Sequence, residues 1–133
     1  MTTKQKTHND LSHQFLEEDQ IHILTFHRPS REATDTWFKI IGDYYQQITP
    51  NTPVKILSDY RLSGFPPLAY TMRKGRVWMK ELPFHPPVKL AIVHNSDVIV
   101  PIFATLIQTL RLGHLTVKFF REDEPALTWL KTP

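Results

Sequence analysis

The chain has 133 residues, and its 16 Lys and Arg against 13 Asp and Glu give a net charge of +3, too small to indicate nucleic acid as the principal partner. An apolar fraction of 41% with 22% charged residues is typical of a folded domain and excludes a disordered chain. The lack of cysteine excludes disulfides, thiolate nucleophiles and Cys-based metal sites, a composition that fits a cytoplasmic protein.

The first ten residues carry almost no apolar side chains, so we expect a flexible tail over 1–10 and a single domain over 11–133. The same segment lacks the apolar stretch of a secretory signal, and export is not expected. The longest apolar run, Val98–Ile107, is about half the length that a membrane-spanning helix needs. The sequence therefore predicts no transmembrane segment.

Two short segments, His13–Glu17 and Gln20–His27, flank a charged break and predict an opening β-hairpin. After the strand-breaking proline, Ser30 or Thr34 is expected to cap a helix by accepting a backbone N–H bond. Large apolar side chains then recur at helical spacing. They are Trp37, Ile41, Tyr44 and Ile48.

The next elements continue the alternation of strand and helix. Val54–Tyr60 is a short apolar run that predicts a buried strand. Pro67 suits the first turn of a second helix, whose apolar stripe also has helical spacing. That stripe consists of Leu68, Met72, Gly75, Met79 and Leu82. Val88–His94 has the pattern of a central strand.

The C-terminal third predicts two more helices and one more strand. Pro101 is placed to begin a third helix, and Gly113 is expected to end it. Leu115–Phe120 reads as the last strand and Glu122–Lys131 as the last helix. The predicted order is ββαβαβαβα, which indicates an α/β domain with a mixed five-stranded sheet and flanking helices.

The ending VKFFREDEPALTWL runs from a strand through a charged turn into a helix with Ala126, Leu127, Trp129 and Leu130. With the predicted order, this ending resembles the STAS-like domains related to the sporulation anti-sigma-factor antagonist, and in particular small bacterial proteins of that type. The resemblance implies a five-stranded mixed sheet and a regulatory module whose second helix docks on a partner protein.

In the antagonist proteins the second helix begins with a phosphorylatable serine in an Asp-Ser motif. The corresponding stretch here is 59–68, and no Asp-Ser pair stands at its helix start. Ser63 is the nearest candidate for modification, but a Ser-Gly pair close to proline is also what an ordinary turn requires. We favour the turn, so regulated phosphorylation at this point is not expected.

Polar side chains follow two neighbouring parallel strands of the predicted sheet. Asp59 and Arg61 come at the end of one strand, and His94 and Ser96 at the end of the next. Ligands of open α/β sheets bind at such carboxyl edges, and a carboxylate beside an imidazole is suited to acid–base chemistry. The simpler interpretation, which we favour, is that polar residues finish strands where the sheet meets water.

The sequence lacks the motifs of common enzymes and of common cofactor sites. The seven histidines contain no pair at the spacing that places two metal ligands on one helix face. With four glycines in all, there is no nucleophile elbow, no dinucleotide fingerprint and no phosphate-binding loop. We therefore predict no metal and no cofactor, and we assign no catalytic residue.

Arg73, Arg76 and Lys80 share one face of the predicted second helix, opposite its apolar stripe. Such a face is usually a solvated surface, and its functional version is a docking surface for an acidic partner protein. Trp78 is set slightly off the stripe, and with the proline-rich segment 83–87 it is expected to form an exposed apolar lip. Such a lip suits a ligand pocket or a homodimer interface.

The leading hypothesis is a noncatalytic STAS-like module that binds a partner protein or a small apolar or anionic ligand. It would use the second helix and the strand edges near Asp59 and His94. One alternative is a small enzyme in which those two residues perform acid–base chemistry. Another is an interaction protein that forms a homodimer through the second helix and Trp78.

Overall fold

The structure, a computed structural model, describes residues 3–7 and 9–133. Within these residues it contains six strands and four helices. In chain order they are β1 (Thr3–Thr7), β2 (Leu11–Leu16), β3 (Ile21–Phe26), α1 (Arg31–Tyr45), β4 (Val54–Asp59), α2 (Leu68–Glu81), β5 (Val88–Val93), α3 (Val100–Thr109), β6 (Leu115–Phe120) and α4 (Asp123–Lys131). From β2 onward this is the predicted order, and the α/β fold class is confirmed.

The strand β1 lies in the segment for which the sequence predicted a flexible tail, so the sheet has six strands rather than five. It runs antiparallel to β2, with Thr3 opposite Leu16 and Thr7 opposite Ser12. The pairing of an edge strand is made by the backbone and requires no apolar side chain, and lysines are common on such edges. A prediction based on hydropathy therefore missed β1.

The strands lie side by side in the order in which the chain makes them. β1, β2 and β3 are antiparallel neighbours, whereas β3, β4, β5 and β6 are parallel. Because crossovers between parallel strands are right-handed and each one moves to the next strand in the same direction, α1, α2 and α3 cover one face, here called the front. α4 follows β6 onto the opposite face, the rear.

Each face has its own apolar core. The front core is the larger, and it joins strand residues such as Leu24 and Ile56 to Ile41 of α1, Met72 of α2 and Phe103 of α3. The rear core is formed by α4 against the middle of the sheet. Its buried members are Ile21, Leu57, Ala91, Val93, Ala126 and Leu130. Ala126 and Leu130 are thus the residues that α4 directs toward the sheet.

The helix ends follow local chemistry. Ser30 is the cap of α1, because its Oγ accepts a hydrogen bond from the Ala33 N–H at 3.0 Å. Pro101 lies in the first turn of α3, as predicted. The predicted end of that helix at Gly113 is wrong, because α3 ends at Thr109 and the residue in the left-handed region is Arg111, with φ of 51°.

Candidate functional site

A cavity of about 120 Å³ lies on the front face, between the sheet and the three helices that cover it. Both aromatic and aliphatic side chains line it. Those that define its shape are Phe26, Ile56 and Val88 from the strands, Trp37, Ile41 and Tyr45 from α1, Met72, Gly75, Trp78 and Met79 from α2, and Phe103 and Ile107 from α3. Protein interiors have few voids larger than a water molecule, so an apolar space of this size is a feature to be explained.

The packing of α1 against α2 forms one wall of the cavity. The Trp78 indole lies directly against Gly42 of α1, where an added Cβ would be 3.2 Å from its Nε1 atom. Around this indole lie the rings of Trp37, Phe38 and Tyr45, with centroids 5.2 to 6.3 Å away. Trp78 is therefore half-buried between the helices, and the exposed lip expected from the sequence is not formed.

The second glycine of this region, Gly75, lies on α2 and lines the cavity directly. An added Cβ there would meet only the Cζ atom of Phe38, at 3.7 Å, which is ordinary van der Waals contact. The cavity therefore owes part of its volume to the missing side chain at position 75.

Replacing Gly75 with alanine is expected to raise the free energy of unfolding by about 0.5–1 kcal/mol, because alanine is the better helix former and its methyl group has room. Gly42→Ala is the matched control, since the same change on α1 meets Trp78 at 3.2 Å and should gain less or destabilise. Urea unfolding of both variants measures the difference. A loss of stability in Gly75→Ala would show that the space beside Phe38 is not available.

The cavity wall carries no charged side chain. None of the residues that line it is Asp, Glu, Lys or Arg, and the Nε1 atom of Trp37 donates a hydrogen bond to Ser58 Oγ at 2.9 Å. Burial raises the pKa of Tyr45 to about 12, and burial also lowers the pKa of His114 below its usual value. The wall is therefore neutral at pH 7 and favours an apolar occupant over an anion.

At the carboxyl edge of the sheet, Asp59 and Arg61 form a two-armed ion pair. The guanidinium donates from Nε to Asp59 Oδ1 at 3.0 Å and from Nη2 to Oδ2 at 2.8 Å, and it also bonds Asp123 at the start of α4. The hydrogen bonds to Asp59 raise the pKa of Arg61 above its usual value. The Arg61 side chain thus joins the loop after β4 to α4, and its guanidinium is already bonded to two carboxylates.

Asp59 and His94 do not share a site. Asp59 is opposite Val93 in the parallel ladder, so His94, one residue later, faces the other side of the sheet. Its ring lies on the front, 5.9 Å from Phe65 and 6.0 Å from Phe119 between centroids, and burial lowers its pKa. The carboxylate and the imidazole required by the acid–base alternative are therefore on opposite faces.

The two predicted serines take part in local turns. The hydroxyl of Ser63 donates to the carbonyl of Gly64 at 2.6 Å, and Gly64 has a φ of 78°, a conformation that glycine adopts without strain. The backbone N–H of Ser96 donates to His94 Nδ1 at 3.2 Å. These contacts agree with the turn interpretation for Ser63, and they place Ser96 beside the buried imidazole.

The basic residues of α2 lie on its outer face, as the spacing predicted. Arg73, Arg76 and Lys80 are exposed. Arg73 contacts the ring of Tyr70 from 5.6 Å, and the guanidinium of Arg31 lies over the same ring at 4.9 Å. The face is positively charged and open to solvent, and it lies on the opposite side of the helix from the cavity.

The comparisons with known proteins give no match: no family model matches the sequence, and no curated protein is significantly similar to it. In the described part of the chain no helix has both the length and the apolar content that a bilayer crossing demands. Over the same residues, no three His, Asp or Glu side chains come together as ligands for a metal ion.

Proposed function

We propose that the protein is a noncatalytic STAS-like module that binds a small, neutral, apolar ligand in the cavity between the sheet and the helices α1, α2 and α3. The observation that carries the proposal is an apolar space of about 120 Å³ with no charged residue in its wall. Cavities of this kind stay dry and take up apolar molecules, because water there would have too few hydrogen-bond partners.

The volume limits the size of the ligand. A cavity of about 150 Å³ lined by aliphatic and aromatic residues holds benzene, so a space of about four-fifths that size suits one small ring or a short alkyl chain. An anionic group would find no Lys or Arg in the wall, and burying an unpaired charge is costly. Of the ligand classes that the sequence left open, the apolar one is therefore favoured over the anionic one.

A second candidate function is docking of an acidic partner on the outer face of α2. It is favoured by the exposure of Arg73, Arg76 and Lys80 on one side of the helix. Because α2 also carries Gly75 and Trp78 on the cavity side, one helix would serve both a ligand and a partner. Such an arrangement would suit a regulatory module of the STAS-like kind, which we propose to be cytoplasmic because the chain has no cysteine.

Benzene and benzoate are matched probes for the ligand proposal, because they share a ring and differ in charge. Benzene is expected to raise the melting temperature, since a ligand at one hundred times its Kd stabilises the folded state by about 2.7 kcal/mol. Benzoate at the same concentration should give no shift. The measurement is thermal unfolding with each probe, followed by titration calorimetry.

Gly75→Leu is the variant that tests the position of the site, because its side chain would fill the cavity. It is expected to abolish the shift with benzene. Gly113→Leu makes the same chemical change at an exposed glycine with nothing within 4 Å of its Cβ position, and it should bind as the wild type does. Equal binding by both variants, or no shift with any neutral probe, would contradict the proposal.

The enzyme alternative has less support. Its two residues, Asp59 and His94, lie on opposite faces of the sheet, and Asp59 is held by Arg61. The homodimer alternative through Trp78 is also weakened, because that side chain is half-buried against α1.

A further inference from the structure

The strand β6 forms one edge of the sheet. It is paired with β5 on one side, and no strand among the described residues lies on the other. Such an edge presents unpaired backbone N–H and C=O groups that can bind another strand. On the front side of β6, Leu115, Val117 and Phe119 are only half-buried.

The direction of the backbone groups follows from two bonds to β5. The Val88 N–H donates to the carbonyl of His114, and the His94 N–H donates to the carbonyl of Phe120, both at 2.9 Å. Because backbone groups alternate along a strand, the even-numbered residues of β6 bond β5 and the odd-numbered ones point away. Val117 and Phe119 therefore carry free donors and acceptors, and Leu115 a free carbonyl, because the Leu115 N–H donates to the carbonyl of Leu112 at 3.1 Å.

Few charged residues surround this edge, and one of them, Arg111, lines the cleft between α3 and β6. Lys118 is the one charged residue of β6, and α3, which lies beside it over Val100–Thr109, contains no ionisable residue. Ile102 of α3 is 51% exposed, and a cleft between α3 and β6 is lined largely by apolar side chains such as Ile107. The opposite edge, β1, differs because it carries Lys4 and Lys6.

We propose that the protein forms a homodimer in which β6 pairs antiparallel with β6 of a second copy, around a two-fold axis at Val117. This register places Leu115 opposite Phe119 of the second copy, and Val117 opposite its own equivalent. These are the residues with outward backbone groups, so the ladder uses all of them except the Leu115 N–H, which the Leu112 carbonyl already binds. The apolar front face then continues across the junction.

The charge of Lys118 selects this register, and a second copy suits the edge because its own β6 has the same largely apolar front side. With the axis at Val117, each Lys118 lies opposite Thr116 of the other chain, whereas an axis at Lys118 would oppose two ammonium groups. The uncharged α3 helices can approach one another without electrostatic repulsion. A two-fold pairing also closes the assembly, because both β6 edges are used.

Sedimentation equilibrium of wild type and two variants at Thr116 tests the proposal. Thr116 is exposed, so its replacement should leave the fold intact. Thr116→Glu would face Lys118 of the second copy twice per dimer and should lower the dimer Kd by roughly two- to thirtyfold. Thr116→Lys is the matched control and should raise the Kd by a similar factor.

Val117→Pro removes an outward donor at the centre of the ladder. Proline is tolerated where the lost N–H points to solvent on an edge strand. The variant should therefore keep the circular dichroism spectrum of the wild type and sediment as a monomer. A wild type that stays monomeric at millimolar concentration overturns the proposal. A dimer with the same Kd in Thr116→Glu and Thr116→Lys also overturns it. Neither result depends on whether the cavity binds benzene.

Discussion

Lowering the pH from 7 to 5 is expected to reduce the free energy of unfolding by about 2 kcal/mol through His22, the histidine with the largest pKa shift. Burial and then the charge of His13 lower the pKa of His22 from 6.5 to about 3. A group whose pKa is depressed in the fold binds its proton more readily in the unfolded chain. Its contribution is therefore complete above pH 6.5 and is lost as the pH falls toward 3.

The structural cause is the His13–His22 pair between β2 and β3. The Nε2 atom of His13 and the Nδ1 atom of His22 are 3.0 Å apart, so one ring donates an N–H to the bare nitrogen of the other. The Nε2 atom of His22 is buried without a hydrogen-bond partner, beside the ring of Tyr44 at 4.1 Å between centroids. The doubly protonated ring would bury its charge there, with an Nε2 N–H that has no acceptor.

Urea unfolding at pH values from 7 to 5 measures the effect, since carboxylates titrate mostly below that range. His22→Leu should show a much flatter dependence on pH. His114→Gln is the control, because its histidine is only partly buried, and it should retain most of the wild-type slope. A His22→Leu slope equal to that of the wild type would show that this imidazole is not the group responsible.

Arg61→Leu is expected to cost about 3 kcal/mol of folding free energy, because it leaves the carboxylate of Asp59 without its partner. The side chain of Asp59 is 12% exposed, so little hydration is available to replace the two hydrogen bonds. Arg121→Leu is the matched control at the same edge. Its ion pair with Asp97 is exposed on both sides and should contribute less than about 1 kcal/mol.

The double variant Asp59→Asn with Arg61→Leu separates the two sources of this loss. Asparagine removes the stranded charge and keeps the oxygen that accepts the Arg61 backbone N–H at 3.0 Å. About 1–2 kcal/mol of the loss should be recovered, because a neutral amide is less costly to bury than a carboxylate. If the double variant were less stable than Arg61→Leu, the cost would lie in lost packing rather than in the unpaired charge.

Hydrophobic periodicity was sufficient to predict the elements from β2 to α4. The apolar residues of α1 recur at helical spacing, and the strands β4 and β5 are short apolar runs between prolines and polar turns. The strand β1 could not be found in this way, because it is held by backbone pairing at an edge. The end of α3 was misplaced because Arg111, rather than a glycine, adopts the left-handed conformation.

The residues at the carboxyl edge of the sheet could be predicted only in part. The sequence placed Asp59 and Arg61 at the end of one strand, and the structure joins them in an ion pair. It grouped His94 with them because both strands end at one edge, but the relative register of β4 and β5 decides which face each residue occupies. That register depends on contacts between distant parts of the chain.

The sequence suggested a ligand pocket only beside an exposed Trp78, and it did not predict a cavity between the sheet and the helices. Its volume depends on the distance between α1 and α2, which the contact of Trp78 with Gly42 sets. The one available signal was a glycine on each of two amphipathic helices, at positions where an alanine would give a stronger helix. Helix propensity alone explains Gly75 as a residue that weakens α2. It does not indicate that the missing side chain leaves a space in the core.

The agreement between strand order and chain order has a kinetic consequence. Among the described strands, each ladder joins two that are consecutive in sequence, so the loops to be closed during folding are short. The sheet can therefore grow by one strand and one helix at a time as the ribosome releases the chain. The rear core is completed later, because α4 follows all the strands it covers and is then fastened by Lys89, which donates to the carbonyl of Thr132 at 2.9 Å.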